Sequence, residues 1–204
     1  ENNQFLSLDQ SISKCAWMYW IDGEPVAKGV IRTGDINAKT KSKGVTYLDG
    51  VDERIRFVCE KIEEEVRTHY KAMYTDYTIC IPIVLEGLSF GSAGNATRDL
   101  AGLYYTLKYS LEESEISCYK KMYTYVPTSI KALARDYLPE AEQTVISPKT
   151  SKPIKVKMDK KLMVKACQEV MGVDFLKGYN YSTGLDDIVD AYWLGKLYMI
   201  KEKK

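Results

Sequence analysis

A short apolar stretch of the chain reads Phe5-Leu6-Ser7-Leu8-Asp9 and predicts a buried strand that ends in a carboxylate. A carboxylate at the end of a buried strand is unfavourable unless a cation meets it. Two further strands are predicted over residues 15–21 and 26–33, around the turn Asp22-Gly23-Glu24-Pro25, which is a hairpin signal. The first three strands therefore predict an antiparallel unit that presents Asp9 at one end.

The rest of the chain alternates between helical and extended periodicity. We predict helices over 52–74, 95–113, 127–137, 159–171 and 185–200, strands over 77–86 and 122–126, and loops over 34–50 and 139–153. The later strands are joined through helices, whereas the first three follow one another directly. This order predicts an α/β fold with a mixed five-stranded sheet flanked by helices.

The composition predicts a soluble globular protein. The 204 residues are 45% hydrophobic and 28% charged, which suits a single domain over 1–204. No apolar run is long enough to span a bilayer, and no signal-peptide pattern is present, so we expect no membrane association. The five cysteines are odd in number and scattered, which favours reduced thiols in a cytoplasmic protein over a zinc or disulfide framework.

Three more carboxylates share the setting of Asp9. Glu86 ends the apolar run over 79–86, and Asp187 and Asp190 lie about one turn apart on the last predicted helix. Such oxygens are the ligands that Mg²⁺ and Mn²⁺ prefer, and acidic metal sites of this kind commonly act on phosphates. Asp186 points about 100° away from Asp187, so we rank it lower, as a helix cap or outer ligand. Taken singly, each acid also suits a turn, an ion pair or a solvated helix start.

Positive charge is concentrated in one region. The net charge is only +1, but residues 149–165 contain seven lysines against one acid, Asp159. A solvated charge run explains such a stretch, and so does a surface that faces phosphate. The sequence leaves both interpretations open.

Five segments occur in an order that is informative as a set. They are the strand–turn–strand over 5–20, Leu85-Glu86-Gly87-Leu88-Ser89-Phe90-Gly91 with the helix that follows, Tyr125-Val126-Pro127-Thr128-Ser129-Ile130-Lys131, Asp159-Lys160-Lys161-Leu162-Met163-Val164, and Asp187-Ile188-Val189-Asp190-Ala191. Together they resemble the motifs of RuvC-type Holliday-junction resolvases of the ribonuclease-H-like superfamily. Gln10-Ser11 replaces the usual glycine, and the segment between Lys131 and Lys160 is longer than expected. These departures look like those of a divergent phage-type or viral relative.

The resemblance implies an endodeoxyribonuclease that cuts Holliday junctions or other branched DNA with two Mg²⁺ ions per site, which Mn²⁺ can replace. The implied metal ligands and catalytic residues are Asp9, Glu86, Asp187 and Asp190. The implied DNA contacts are Lys131, Lys160, Lys161, Phe90 and Arg98. A surface position explains each lysine nearly as well, core packing explains Phe90 at least as well, and a surface ion pair explains Arg98 better. Two symmetric cuts also imply a homodimer, with the helix over 95–113 as the candidate interface.

Three alternatives remain open at this stage. A different nuclease of the same superfamily would act on RNA–DNA hybrid or forked DNA. A non-catalytic DNA-binding or packaging protein would have no need of four acids. The segments over 8–14 and 22–27 also resemble the phosphate-binding hairpin of sugar and glycerol kinases, but those enzymes need a second lobe for which we expect this chain to be too short.

Overall fold

The structure is a computed structural model that describes residues 3–70, 81–87, 95–113 and 122–202. Within these ranges the strands are β1 (Gln4–Asp9), β2 (Lys14–Ile21), β3 (Glu24–Asp35), β4 (Thr46–Leu48), β5 (Ile83–Glu86), β6 (Met122–Tyr125), β7 (Thr144–Ile146) and β8 (Pro153–Lys155). The α-helices are α1 (Gly50–His69), α2 (Asn95–Glu113), α3 (Pro127–Arg135), α4 (Lys160–Met171) and α5 (Leu185–Glu202). Short 3-10 helices cover Glu140–Glu142 and Val173–Leu176.

Six of the described strands form a mixed sheet in the order β4-β3-β2-β1-β5-β6. β1, β2 and β3 are antiparallel neighbours, and the Asp22-Gly23 turn between β2 and β3 has positive φ at both residues, as a tight hairpin requires. β1, β5 and β6 run parallel. The predicted mixed sheet flanked by helices is therefore confirmed, with six strands where the sequence predicted five.

The additional strand of the sheet is β4, which lies within the predicted loop 34–50 and pairs in parallel with the end of β3. Gly34 allows this pairing, because a Cβ atom there would lie 2.6 Å from the Tyr47 ring. The Tyr47 hydroxyl also accepts a hydrogen bond of 2.6 Å from the Ser42 backbone N–H. A strand of three residues that is held by such tertiary contacts leaves almost no periodicity in the sequence.

The predicted loop 139–153 also contains regular structure. It begins with a 3-10 turn, and β7 then pairs antiparallel with β8 to form a separate two-stranded sheet. All six residues of the two strands are exposed, so they lack the alternation of buried and polar positions that identifies a strand in sequence. The surrounding prolines and lysines therefore favoured a loop.

The two faces of the main sheet have different helical cover. Leu6 and Leu8 of β1 pack with side chains of α1 and α2, such as Ile62 and Leu107. The alternate positions point the other way, where Phe5 packs with side chains of α3, α4 and α5. Asp9 follows the register of Phe5 and Ser7, because side chains alternate along a strand. Asp9 thus ends on the face that α5 covers.

Two further expectations concern the chain as a whole. No helix among the described residues combines the length and the apolar character needed to cross a membrane. Cys15, Cys59 and Cys167 are free and buried, and burial raises the pKa of each thiol to about 12. Inert core thiols are what the scattered spacing predicted; Cys80 and Cys118 lie outside the described residues.

Candidate active site

Two carboxylates end neighbouring parallel strands. Asp9 is the last residue of β1 and Glu86 the last of β5, and the two strands are in register with Leu8 opposite Leu85. Their carboxyl ends therefore meet at one edge of the sheet. The Gln10 side-chain amide donates a hydrogen bond of 3.0 Å to the Glu86 carbonyl, which fastens the two strand ends together.

Helix α5 is fixed over β1 by a buried hydrogen-bond chain. The Trp20 indole N–H donates to the Ser7 hydroxyl (2.8 Å), and this hydroxyl donates to the Ala191 carbonyl (2.7 Å). Gly195, one turn further along α5, allows the close approach, since a Cβ atom there would clash with the Trp20 ring. The residue before Ala191 is Asp190, so these contacts fix where that carboxylate enters the site.

The start of α5 is fixed by the loop that precedes it. The Asn180 carbonyl accepts hydrogen bonds from the backbone N–H groups of Gly184 and Leu185, each 3.0 Å long. Gly184 has φ +105°, and a Cβ atom there would lie 2.8 Å from the Val30 side chain. Glycine is thus required by both backbone conformation and space. This loop sets the rotation of α5 and with it the direction of Asp187.

Asp9 lies at the electrostatic centre of the four predicted acids. Burial raises the pKa of Asp9 well above its usual value, and the negative charges of Asp190, Glu86 and Asp187 raise it further, in that order. Asp186 adds a smaller contribution of the same sign. Like charges that disfavour one another's ionisation are a sign that the carboxylates share a site.

Asp190 and Glu86 form the flank of the site that Lys131 borders. Burial, followed by the charges of Glu86 and Asp186, raises the pKa of Asp190 to about 7, while Lys131 opposes this shift. Burial also raises the pKa of Glu86, again against the effect of Lys131. A cavity of about 140 Å³ opens here, and its lining includes Glu86, Asp190 and Lys131.

Asp187 and Asp186 form the other flank. Burial is the main cause that raises the pKa of Asp187, and Asp186 adds to it, while Lys14 and Lys160 act against it. Asp186 is only 7% exposed and forms an ion pair with the Lys160 ammonium. Sequence reasoning had ranked Asp186 below its neighbours. The structure makes it the buried partner of a lysine that we predicted to contact DNA.

The site suits a divalent cation chemically. Its groups are carboxylate oxygens, and the Oδ2 atom of Asp187 and the Oδ1 atom of Asp186 are buried with no hydrogen-bond partner among the described residues. A cation would satisfy these oxygens and relieve the repulsion that raises the pKa of Asp9. Within the described ranges, no three acidic, histidine or cysteine side chains are already grouped as ligands of one ion.

The predicted DNA-contact residues have different surroundings. Lys131 borders the acids, and Lys161 is exposed on the first turn of α4. Lys160 forms the ion pair with Asp186. Arg98 is exposed on α2, with its Nε atom 3.6 Å from Asp99 Oδ1. Phe90 lies outside the described residues.

Three residues of the site were missed from sequence. Ser7 and Gln10 support the acids through the hydrogen bonds described above. The Lys14 ammonium donates a bond of 3.0 Å to the Tyr181 carbonyl, and its charge acts against the raised pKa of Asp187. Only Ser7 could have been noticed in the sequence. It is a serine in an otherwise apolar strand, and a buried hydroxyl needs a hydrogen-bond partner. Nothing in the local sequence distinguishes Gln10 or Lys14 from ordinary turn residues.

Comparison with known proteins gives a match by structure. No protein-family model matches the chain, and no curated protein matches it in sequence. Among solved structures the fold is that of the ribonuclease-H-like α/β class, a mixed sheet flanked by helices. RuvC of Thermus thermophilus is similar at 11% identity, with a TM-score of 0.57 over 98% of this chain and 96% of that chain. RuvC of T. thermophilus in complex with a Holliday junction substrate gives 11% identity and a TM-score of 0.56 over 97% of this chain and 95% of that chain. The chain therefore has a RuvC-like fold.

Proposed function

We propose that this chain is a metal-dependent endodeoxyribonuclease that cuts Holliday junctions or other branched DNA. The observation that carries the proposal is that Asp9 and Glu86 end neighbouring parallel strands of a RuvC-like fold, beneath the helix that carries Asp187 and Asp190. Burial raises the pKa of Asp9, and so do the charges of Asp190, Glu86 and Asp187. Together with the unpaired Asp187 oxygen, this is an arrangement that a divalent cation would stabilise.

Asp9, Glu86, Asp187 and Asp190 would hold two Mg²⁺ or Mn²⁺ ions. When bound, the ions supply charge neutralisation at the phosphate and a nucleophile at neutral pH. The chain's own residues set the conditions for this chemistry. Ser7 and Gln10 hold the strand ends and α5 in place, and Lys131 lowers the cost of ionising Glu86 and Asp190.

DNA binding would use cations around this site. Lys131, Lys160 and Lys161 are the proposed phosphate contacts, with Phe90 and Arg98 as further candidates. Lys160 is 74% exposed although it is paired with Asp186, so its ammonium can reach a phosphate at the protein surface. The RuvC structure with a Holliday junction supports branched DNA as the substrate class for this chain.

We further propose a homodimer, because two symmetric cuts across a junction need two opposed sites. α2 is the proposed interface. Leu103, Leu107 and Leu111 face the core, while Tyr105 and Tyr109 are exposed one turn apart on another side of the helix. We also infer a single domain over 1–204, a cytoplasmic location and a divergent, phage-type relationship to the resolvases. The 11% identity supports the divergence.

The deciding experiment is cleavage of a labelled four-way junction with Mg²⁺ or Mn²⁺, beside duplex, fork and RNA–DNA hybrid substrates. We expect paired cuts in the junction and little cleavage of linear duplex. Equal cleavage of all four substrates would remove the claim of branched-DNA selectivity. Preference for the hybrid would favour another nuclease of this fold.

Metal binding needs a separate measurement. We expect Mg²⁺ or Mn²⁺ to raise the unfolding temperature of the protein, because the ions bind only the folded site. Thermal unfolding with and without metal measures this effect. No metal-dependent stabilisation at millimolar concentration would leave a non-catalytic DNA-binding protein as the better interpretation.

A further inference from the structure

The hairpin formed by β7 and β8 is exposed on both of its faces. Val145 pairs with Ile154, and Ile146 pairs with Pro153. Val145 and Ile154 are 45% and 46% exposed, and Ile146 is 65% exposed. Apolar side chains concentrated on a small projecting element are unusual on a protein that has nothing to bind there.

The base of the hairpin is nevertheless fixed to the body of the fold. The Arg135 Nε atom of the last turn of α3 donates 2.9 Å to the Val156 carbonyl, and the Val156 backbone N–H donates 2.9 Å to the Gln143 carbonyl. The Gln143 side chain donates 2.8 Å to the Leu138 carbonyl. The Lys165 ammonium lies 2.5 Å from Glu142. These contacts attach the base of the hairpin to α3, α4 and the segment between α3 and β7.

The positive charge along the hairpin has no ion-pair partner among the described residues. Among the described residues, the lysines without an ion pair include Lys149 and Lys152 in the turn, Lys155 on β8 and Lys157 just beyond it. All four are exposed. The hairpin also connects α3, which carries Lys131, to α4, which begins with Lys160. The lysines of the hairpin therefore lie in the chain between two helices that each carry a lysine beside the acidic site.

We propose that residues 143–157 form a DNA-binding ribbon that contacts a duplex arm of the substrate outside the cleavage site. The proposal rests on the proposed function, because it assigns this element to the same DNA. A two-stranded ribbon has the dimensions to enter the major groove of duplex DNA. The lysines would bind phosphates, and the exposed apolar side chains would contact sugars and base edges.

The first test is the affinity of the full chain for a duplex and a four-way junction without divalent metal, measured over a range of salt concentrations. The variant carries Lys149→Gln, Lys152→Gln and Lys155→Gln. We expect a loss of about 10²-fold at 0.1 M salt. The slope of log affinity against log salt should fall by about 2.7, because each lysine–phosphate contact contributes about 0.9.

The matched control makes the same charge change elsewhere, with Lys39→Gln, Lys41→Gln and Lys43→Gln in the exposed loop before β4. We expect the control to keep the wild-type slope within about one unit. Equal losses in the two triple variants would overturn the ribbon, because they would reflect net charge alone. An unchanged affinity in the hairpin variant would overturn it as well.

Ile146→Thr tests the apolar part of the ribbon. Threonine keeps the branched Cβ that suits a strand, so the hairpin should form. We expect about a threefold to tenfold loss of affinity with an unchanged salt slope. Unaltered binding would restrict the contact to the lysines and contradict the ribbon as proposed. Thermal unfolding of every variant should match the wild type, because all of the substituted side chains are exposed.

Cleavage measured on the same samples separates the ribbon from the proposed function. A localised loss of DNA affinity in a protein that never cleaves DNA would retain the ribbon and contradict the nuclease. Metal-dependent cleavage with full affinity in the hairpin variants would retain the nuclease and contradict the ribbon.

Discussion

The two faces of β1 carry different kinds of side chain. Toward α1 and α2, Leu6 and Leu8 enter a largely apolar core, in which the Tyr19 hydroxyl donates a buried hydrogen bond of 2.9 Å to the Gln4 side chain. Toward α5, Phe5 is followed by Ser7 and Asp9, and polar groups increase as the strand approaches its end. A single strand thus contributes to stability through one face and to the candidate site through the other.

The difference has an energetic consequence. Apolar burial on the first face is favourable without any partner. On the second face the Ser7 hydroxyl needs the Ala191 carbonyl, and burial of Asp9 and Asp190 raises the pKa of both carboxyls. We therefore expect changes on the first face to alter stability alone, and changes on the second to alter metal binding and cleavage.

Asp9→Asn should give the largest effect. Metal ions contribute several kcal/mol of transition-state stabilisation, which corresponds to about 10³-fold or more in cleavage rate. The variant should also lose its stabilisation by Mg²⁺ while remaining folded, because the change removes a buried negative charge. Junction cleavage and thermal unfolding measure the two effects. Asp52→Asn, at an exposed position in the first turn of α1, should behave as the wild type. Normal cleavage by Asp9→Asn would disprove the metal site.

Leu8→Ala tests the opposite face of the same strand. Removing this fully buried side chain should lower the free energy of unfolding by about 2–5 kcal/mol. The Mg²⁺ affinity of the folded fraction should stay unchanged, because Leu8 points away from the acids. Urea unfolding gives the first quantity, and metal titration below the unfolding transition gives the second. A large loss of metal affinity would show that the two faces are not independent.

The pH dependence of stability sharpens the contrast. The pKa of Asp190 is about 7 in the folded protein and near 4 in the unfolded chain, so the folded state binds more protons between these values. Without metal, stability should fall by a few kcal/mol as pH rises from about 4 to 7, and then level off. Metal affinity should rise over the same range.

Asp190→Asn is the control for this pH dependence. The asparagine cannot ionise, so the fall in stability between about pH 4 and 7 should become shallower. Denaturant unfolding at several pH values, in the presence of a metal chelator, measures this change of stability with pH. A slope equal to that of the wild type would assign the pH dependence to other groups, such as Asp9.

Ser7→Ala should have a smaller effect on stability and still alter the site. The change leaves the buried Trp20 indole N–H without its Ser7 partner and removes the side-chain bond to the Ala191 carbonyl, at a cost of about 1–3 kcal/mol. Because Asp190 precedes Ala191, we also expect weaker metal binding. Calorimetric titration with Mg²⁺ measures the change in metal affinity. The isosteric Ser7→Cys variant should be intermediate, and unchanged metal binding in both would show that α5 is positioned without Ser7.

The limits of the sequence follow from the same comparison. β1, α1 and α5 could be predicted from the spacing of their apolar residues, because burial imposes periodicity on the sequence. The four acids could be singled out as candidate metal ligands because each ends or adjoins an apolar segment. The ion pair between Lys160 and Asp186 could not be predicted from the sequence, since it joins residues 26 positions apart through tertiary structure. β4, β7 and β8 were missed for a related reason, because their few exposed or edge positions carry no alternation.

Lys160→Met should give the smallest effect, because this lysine is mostly exposed. Loss of the ion pair should lower stability by about 1 kcal/mol without metal, since the Lys160 side chain is mostly exposed although Asp186 is buried. Removing a positive charge beside the acids should also strengthen Mg²⁺ binding by about twofold to fivefold. Lys161→Met, which changes an exposed lysine on the same turn, should leave both quantities unchanged. Weaker Mg²⁺ binding in Lys160→Met alone would mean that Lys160 holds Asp186 in place for the metal rather than competing with it.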